Sequence, residues 1–183
     1  MMHPIFPAAL SLALGAAPIL AAAEVFEDFT GSGPAAWEYI ADGVMGGVSK
    51  GEARVLSEGP ERAIHLTGTV STENNGGFIQ VRRLLPDGLP EGTKGLRLSV
   101  RGNGEAYYVF LRTKEMMRPW YYYNVAFTAP EGWETVEIPL AALTRSHAHL
   151  AELVDPAEAI SIGLVAYGRD HAADLMVREI TLY

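Results

Sequence analysis

Two glycine-rich segments constrain this chain more than any other feature of its sequence. They read DGVMGGVS at residues 42–49 and STENNGGF at residues 71–78, and each contains one glycine pair: Gly46 with Gly47, and Gly76 with Gly77. Because glycine has no Cβ, such a pair permits positive φ or a very close approach of two backbones. Asn74 and Asn75 tolerate left-handed φ and predict a structured turn that leads into a strand. From composition alone, tight turns or β-bulges without any ligand explain both segments equally well.

Short β-prone runs separated by turn signals fill the rest of the chain. Residues 96–101 alternate apolar and polar side chains, which is typical of a strand with one buried face. The same alternation recurs over residues 107–112 and 120–128. About ten strands of this kind predict an all-β fold in which two sheets pack as a sandwich. Residues 140–153 favour no more than one short helical turn, because Thr, Ser and His residues interrupt the apolar pattern.

The composition excludes several classes of function. The chain has 183 residues, enough to bury a core without covalent cross-links, and it contains no cysteine. Disulfides, thiolate metal sites and cysteine nucleophiles are therefore excluded. A formal net charge of −8 at pH 7 disfavours binding to the phosphate backbone of nucleic acids.

The first 23 residues predict an export signal. Residues 5–23 are apolar apart from Ser11, and three consecutive alanines precede Glu24 as a plausible cleavage point. No Lys or Arg precedes this apolar part, so a retained membrane anchor is the alternative. We expect cleavage, a single β-sandwich domain over residues 24–183, and a periplasmic or secreted location.

No constellation of residues in the sequence indicates catalysis. The chain contains no G-x-S-x-G elbow, no phosphate-binding motif and no recognisable acid pair for glycoside cleavage. His147 and His149 could face one side of an extended segment, but without further ligands at metal-binding spacing we interpret them as solvated. The prediction is a non-enzyme without cofactor or metal, although a structural calcium ion stays open, with Asp28, Asp42 and Glu73 as candidate ligands.

Two predicted strands carry aromatic and hydrogen-bonding side chains that could share one face. If the strands are neighbours, this face combines Tyr108, Phe110, Arg112, Trp120, Tyr122 and Asn124. Aromatic rings interspersed with polar groups suit a sugar ring or a peptide segment. The alternative is a second buried layer beneath the loops, in which Arg112 pairs with Glu115 or Asp42.

The motifs also carry a resemblance to a known family. The matching residues are Trp37, the segments 42–49 and 71–82, Arg101-Gly102-Asn103-Gly104, Tyr108 and Arg112. In these positions the chain resembles the complex I intermediate-associated protein 30 family, from about Val25 to Tyr183. The resemblance implies a jelly-roll-type β-sandwich like that of galactose-binding domains, and a role in assembly, because mitochondrial members assist the assembly of respiratory complex I. Similar proteins tend to have an Arg-Gly element where residues 144–149 stand here, so this loop is expected to make contacts of its own.

The function predicted from these observations is an exported, non-enzymatic binding or assembly-factor domain; the alternative is a carbohydrate-binding module. The domain would bind a protein, with a respiratory-complex subunit as one candidate, or a glycan. It would touch a membrane only through an uncleaved signal. The predicted contacts are Asp42, Ser49, Asn74 and Asn75 as polar groups, Arg112 as the charge, and Trp120 and Tyr122 as the apolar platform. The two glycine pairs would be structural, at a point where separate stretches of chain meet beside this recognition surface.

Overall fold

A computed structural model describes residues 23–31, 36–59 and 61–183 of the chain. The predicted export signal lies, except for Ala23, outside the described residues. Twelve strands are found within them: β1 Glu24–Glu27, β2 Glu38–Ala41, β3 Lys50–Glu58, β4 Glu61–Val70, β5 Phe78–Leu84, β6 Gly95–Gly102, β7 Ala106–Thr113, β8 Tyr123–Thr128, β9 Glu134–Pro139, β10 Thr144–Arg145, β11 Ala159–Tyr167 and β12 His171–Leu182.

The strands form two antiparallel sheets. The first sheet has the order β3-β4-β12-β6-β9, with β1 added beside β12. The second sheet has the order β10-β8-β7-β11-β5-β2. Many neighbours within a sheet are distant in sequence, because the chain passes repeatedly from one sheet to the other, as in a jelly-roll sandwich. This architecture confirms the predicted all-β, two-sheet fold.

Helical structure in the described part of the chain is limited to short 3-10 turns. Leu140–Ala142 is one of them, and it confirms that residues 140–153 contain no more than a short helical turn. Two others, Asp42–Met45 and Glu73–Asn75, belong to the glycine motifs. None of the described helical segments has the length and apolar character needed to cross a bilayer.

The core lies between the two sheets and follows the alternation of the strands. Leu96, Leu98 and Val100 of β6 are fully buried, as the sequence pattern predicts. Val109 and Leu164 come from the second sheet and belong to the same hydrophobic cluster. Complete burial of one such side chain contributes about 1.5–3 kcal/mol, so contact between the two apolar faces holds the sheets together.

Strand β7 defines the face of the second sheet that is turned away from the core. Its alternate residues Tyr107, Val109, Leu111 and Thr113 are buried, whereas Tyr108, Phe110 and Arg112 between them are partly exposed. Phe110 lies opposite Asn124 of β8, so the predicted aromatic and polar face exists. Strand β8 begins only at Tyr123, so Trp120 and Tyr122 lie in the preceding loop and not in the predicted strand.

Candidate ligand-binding groove

Both glycine motifs fold into tight turns. The 3-10 turn Asp42–Met45 ends at Gly46, whose φ of 92° lies in the left-handed region. In the second motif, Asn74 and Asn75 have left-handed φ values of 56° and 59°, a conformation that asparagine tolerates better than most residues. The first turn leads from β2 of the second sheet to β3 of the first, and the second turn leads from β4 back to β5. The motifs therefore meet beside the paired strands β2 and β5 at the edge of the second sheet.

The carboxylate of Asp42 joins the two motifs. It is fully buried, and its Oδ1 accepts a hydrogen bond from the Ser49 N–H at 3.0 Å. Its Oδ2 accepts from the Ser49 hydroxyl and from the N–H groups of Gly77 at 2.6 Å and Phe78 at 3.2 Å. Burial by itself raises the pKa of this carboxyl, but the hydrogen bonds from Ser49, Gly77 and Phe78 outweigh it and hold the pKa below its ordinary value. Asp42 is therefore ionised at neutral pH and fastens the first motif to the second.

The glycine pairs permit this contact because no Cβ fits between the motifs. A Cβ on Gly47 would lie 2.3 Å from the Asp42 Cγ, and a Cβ on Gly76 would lie 2.4 Å from the Asp42 Oδ2. The Cβ on Gly76 would also come within 3.0 Å of the Gly47 Cα, so the two pairs are in direct contact with each other. Gly46 and Gly77 are needed for their backbone conformation, because both have positive φ, at 92° and 131°, which side chains disfavour.

The predicted polar contacts divide into two groups. Asp42 and Ser49 are buried inside the junction, where the Ser49 hydroxyl also accepts a hydrogen bond from the Ser71 N–H at 2.9 Å. Asn74 and Asn75 are exposed, and Asn75 lines the groove described next. The structure thus brings Asn75 to a surface that a ligand can reach, while Asp42 and Ser49 lie behind that surface and hold it in place.

A groove with a volume of about 550 Å³ lies on the outer face of the second sheet. Its lining comes from β2, β5, β7 and β11, from both glycine motifs, from the loop before β8 and from the loop after β10: Ile40, Val44, Met45, Asn75, Gly76, Phe78, Gln80, Arg82, Phe110, Arg112, Pro119, Trp120, Tyr122, His147, Ser161, Gly163 and Tyr167. This volume falls within the range of small-ligand sites in proteins. The groove therefore combines three of the predicted contacts, Arg112, Trp120 and Tyr122, with Asn75.

Aromatic rings form one wall of the groove. Phe110 and Tyr122 stack with centroids 4.1 Å apart and planes inclined by 9°. Tyr167 packs edge-on against Phe110 at 5.4 Å, and its hydroxyl lies 3.2 Å from the Tyr122 hydroxyl. Burial, together with the neighbouring Tyr167 and Tyr108, raises the pKa of Tyr122, so the Tyr122 hydroxyl keeps its proton well above neutral pH.

Arg112 fixes the loop that carries the exposed tryptophan. Its Nε donates to the Tyr121 carbonyl at 3.1 Å, and its Nη2 donates to the carbonyls of Met116 at 3.2 Å and Arg118 at 2.9 Å. In the part of the chain that the structure describes, Arg112 forms no ion pair, so its suggested pairing with Glu115 or Asp42 is not observed. Since these bonds hold residues 116–121 as a loop, strand β8 starts later than the alternation predicts.

The rim of the groove is apolar and open. Val44 and Met45 of the first glycine motif are 76% and 57% exposed, and Trp120 across the groove is 50% exposed. Such large exposed apolar side chains around a groove are typical of a recognition surface. This exposure contradicts the alternative in which the aromatic face is a second buried layer.

Sequence reasoning missed a group of groove residues on β5 and β11: Gln80, Arg82, Ser161, Gly163 and Tyr167. The alternation of β5 places Phe78, Gln80 and Arg82 on one face, and this pattern was the available signal. Strand β11 lies between β5 and β7, but that neighbourhood joins segments about 50 residues or more apart along the chain. No local pattern in the sequence encodes it.

The residues considered as metal ligands lie in separate networks. Asp28 accepts hydrogen bonds from Thr30, while Asp42 is saturated by donors of the glycine motifs. The rings of His147 and His149 pack against Tyr121 with centroid distances of 4.6 and 4.7 Å. Among the described residues, no group of three or more His, Cys, Asp or Glu side chains is placed to hold a metal ion.

These features define a jelly-roll β-sandwich with an aromatic-walled groove on one sheet. Residues 27–174 match the model of the family described as Complex I intermediate-associated protein 30 (CIA30). Because the match spans well over half of the sequence, the chain belongs to this family. The comparison with curated protein sequences gives no match.

Several solved structures with a similar fold are carbohydrate-binding modules from Clostridium thermocellum, and others are agarases, of which this chain matches about a quarter of the length. A family 11 module of a cellulosomal cellulase has 17% identity and a TM-score of 0.72, covering 87% of this chain and 93% of the module. A family 11 module in complex with a β-1,3-1,4-mixed-linked tetrasaccharide has 18% identity and a TM-score of 0.71, covering 87% and 94%. A family 30 module has 14% identity and a TM-score of 0.54, covering 75% and 90%. At these identities the similarity shows a shared fold.

Proposed function

We propose that this chain is a non-catalytic binding domain that acts as an assembly factor, holding a segment of a partner protein in the groove of the second sheet. Membership of the CIA30 family supports an assembly role. The observation that carries the proposal is the groove itself, with its open apolar rim and its aromatic wall. A groove of this kind buries the large side chains that dominate most protein interfaces.

The chemistry of the groove favours binding over catalysis. Its described lining contains amide, guanidinium, hydroxyl and aromatic groups but no Asp or Glu. Most glycoside hydrolases require two carboxylates that flank the scissile bond. The junction carboxylate of Asp42 cannot supply one, because it is buried and saturated by hydrogen bonds.

Carbohydrate binding is the second candidate. The specific observation in its favour is the fold shared with a module in complex with a tetrasaccharide, combined with the half-exposed indole of Trp120. An exposed indole can stack on the apolar face of a sugar ring. Val44 and Met45 favour the protein partner, because exposed apolar side chains, and the adaptable thioether of methionine in particular, match apolar peptide groups better than hydroxyl-rich rings.

We further propose that the domain is exported after cleavage near Ala23. Strand β1 begins at Glu24 and pairs with β12 through residues 180–182, so cleavage at this point would leave the sandwich complete. N-terminal sequencing of the protein recovered from the cell envelope measures the cleavage site. A mature protein that begins within β1, or one that keeps its first residues, would contradict the proposal.

Co-purification from the native envelope fraction tests the partner. We expect the wild-type chain, tagged after Tyr183, to recover a protein that Trp120→Ala does not recover. Arg54→Gln is a suitable control, because Arg54 is an exposed residue of the first sheet that pairs with Glu52. Both variants should give the wild-type circular dichroism spectrum. Recovery of a glycan in place of a protein, with the same dependence on Trp120, would establish carbohydrate binding instead.

A further inference from the structure

We propose that Arg82 and Arg112 form an anion-binding pair on the floor of the groove, and that the occupant is a peptide segment with an acidic side chain beside a large apolar one. This inference rests on the proposed function and specifies the chemistry of the partner. It assigns a role to Arg82, which the sequence motifs do not single out.

The strand register places the two arginines on either side of β11. Arg82 of β5 lies opposite Gly163, and Arg112 of β7 lies opposite Ser161. Ser161 and Gly163 are two positions apart on β11 and therefore face the same side of the sheet. Ser161 has a small side chain and Gly163 has none, and the Gln80 side-chain oxygen lies over Gly163, 2.9 Å from where a Cβ would stand. The floor between the two arginines is therefore made of short polar groups, the Ser161 hydroxyl and the Gln80 amide, that a ligand can contact.

Both guanidinium groups keep hydrogen-bonding capacity for a ligand. Arg82 Nη2 donates to Glu38 at 2.9 Å, but its Nε is buried and has no hydrogen-bond partner within the described chain. The Nε and Nη2 of Arg112 donate to backbone carbonyls, which orient the guanidinium group without neutralising its charge. A buried donor without a partner is costly, and a carboxylate oxygen is the strongest acceptor that could satisfy it.

The charge of the groove is opposite to that of the whole protein. Its described lining contains two arginines and one histidine but no acidic residue, although the chain as a whole carries a formal net charge of −8. Arg82 forms an ion pair with Glu38, which lies outside the lining, whereas Arg112 has no acidic partner among the described residues. Burial and the nearby charge of Arg82 both lower the pKa of Arg112. An anion placed between them would relieve this repulsion, so the groove selects for negative charge.

The apolar rim of the groove indicates which kind of residue lies next to the acidic residue in the bound peptide. Val44, Met45 and Trp120 surround the opening with exposed apolar surface, within reach of a side chain next to the bound acid. Arginine recognises a carboxylate through two parallel hydrogen bonds, so the acid would fix the register and the apolar neighbour would add buried area. The expected motif is therefore an Asp or Glu directly beside a Leu, Met, Phe or similar residue.

Selection from a display library of short random peptides tests the inference and does not require that the partner be identified first. Peptides enriched on the folded protein should carry an acid beside a large apolar residue. The best peptide and its isostere with Gln or Asn in place of the acid are then compared by fluorescence anisotropy. We expect the isostere to bind about tenfold more weakly or worse, because a charge-assisted hydrogen bond is lost. The affinity of the acidic peptide should also fall as salt is added.

Two variants that each remove one positive charge test whether Arg82 binds the acidic side chain. Arg82→Gln should weaken the acidic peptide by about the same factor and leave the isostere unchanged, since the anion is the group that Arg82 binds. Arg54→Gln removes an equal charge from the first sheet and should leave both affinities unchanged. Arg82→Gln is preferred to replacement of Arg112, because Arg112 also holds the 116–121 loop.

The outcomes separate this inference from the proposed function. Peptides that bind in a Trp120-dependent manner without preference for an acid would overturn the anion pair and leave the protein-binding role standing. Enrichment of no peptide, together with Trp120-dependent binding of a mixed-linkage glucan or a uronate-containing oligosaccharide, would overturn both. An acidic preference that Arg82→Gln does not change would also refute the assignment of this site.

Discussion

Replacement of Asp42 by Asn tests the junction that builds one side of the groove. The asparagine oxygen can occupy the Oδ2 position and keep the hydrogen bonds from Gly77, Phe78 and the Ser49 hydroxyl, but its amide would then face the Ser49 N–H, donor against donor. The unsatisfied N–H costs about 1–3 kcal/mol, and each of the three remaining bonds loses roughly 0.5–1 kcal/mol of charge assistance. We expect the free energy of unfolding to fall by about 2.5–6 kcal/mol and the Tm by roughly 5–24 °C.

The pH dependence gives this prediction a second readout. Because hydrogen bonds lower the pKa of Asp42 in the folded state, its stabilisation is present above the unfolded value of about 4 and is lost as the pH falls through the folded value. Urea unfolding followed by circular dichroism should show the full difference between wild type and Asp42→Asn at pH 7, with the difference shrinking in acid. Asp28→Asn, an exposed carboxylate bonded to Thr30, is the control and should change the urea midpoint little. A loss below about 1 kcal/mol at pH 7, or a difference that does not shrink in acid, would refute the junction.

Three other contacts can be tested by substitution. Gly76→Ala should destabilise the fold by about 1–3 kcal/mol, because its Cβ meets the Asp42 carboxylate, whereas Gly43→Ala, with no atom within 4 Å of its Cβ, should be neutral in the same urea titration. Burial raises the pKa of Tyr107 to about 12, from 10.0 in the unfolded chain. The protonated phenol therefore stabilises the fold fully below pH 10, and this stabilisation is lost as the pH rises toward 12. Tyr107→Phe should make the free energy of unfolding fall less steeply over that range. Arg112→Lys should lower the Tm by about 2–8 °C and accelerate hydrogen exchange in the loop that Arg112 holds, because lysine lacks the planar fork; unchanged exchange would contradict that role.

The architecture was predictable because it depends on local alternation. The pattern over residues 96–100 fixes which face of β6 is buried, and the pattern of β7 does the same for the second sheet. Strand Lys50–Glu58 was not predicted, because it is an edge strand with partly exposed side chains and charges that interrupt the apolar pattern. The glycine pairs indicated a close approach of two backbones, although the sequence does not state which group lies between them.

The groove was predictable only in part, because residue type does not reveal burial or sheet order. Asp42 and Ser49 have the chemistry of ligand contacts, yet their polar groups are used inside the junction. Arg82 has the pattern of an ordinary charged residue on a strand face. Its place beside Arg112 arises only because β11, formed by residues 159–167, lies between β5 and β7. Such pairings between distant segments are set by the tertiary fold.

Chemical-shift mapping of the isotope-labelled protein tests the central claim most directly, namely that the outer face of the second sheet is the binding surface. When the selected acidic peptide is added, the largest changes should fall on the Gly163 amide, the Arg82 Nε–H and the Trp120 indole N–H. Trp133, directly before β9 of the first sheet, provides the internal comparison, because its ring lies between the guanidinium groups of Arg101 and Arg178 at distances of 4.9 and 4.7 Å. Changes confined to Trp133 and its neighbours, with the groove signals unmoved, would contradict the account.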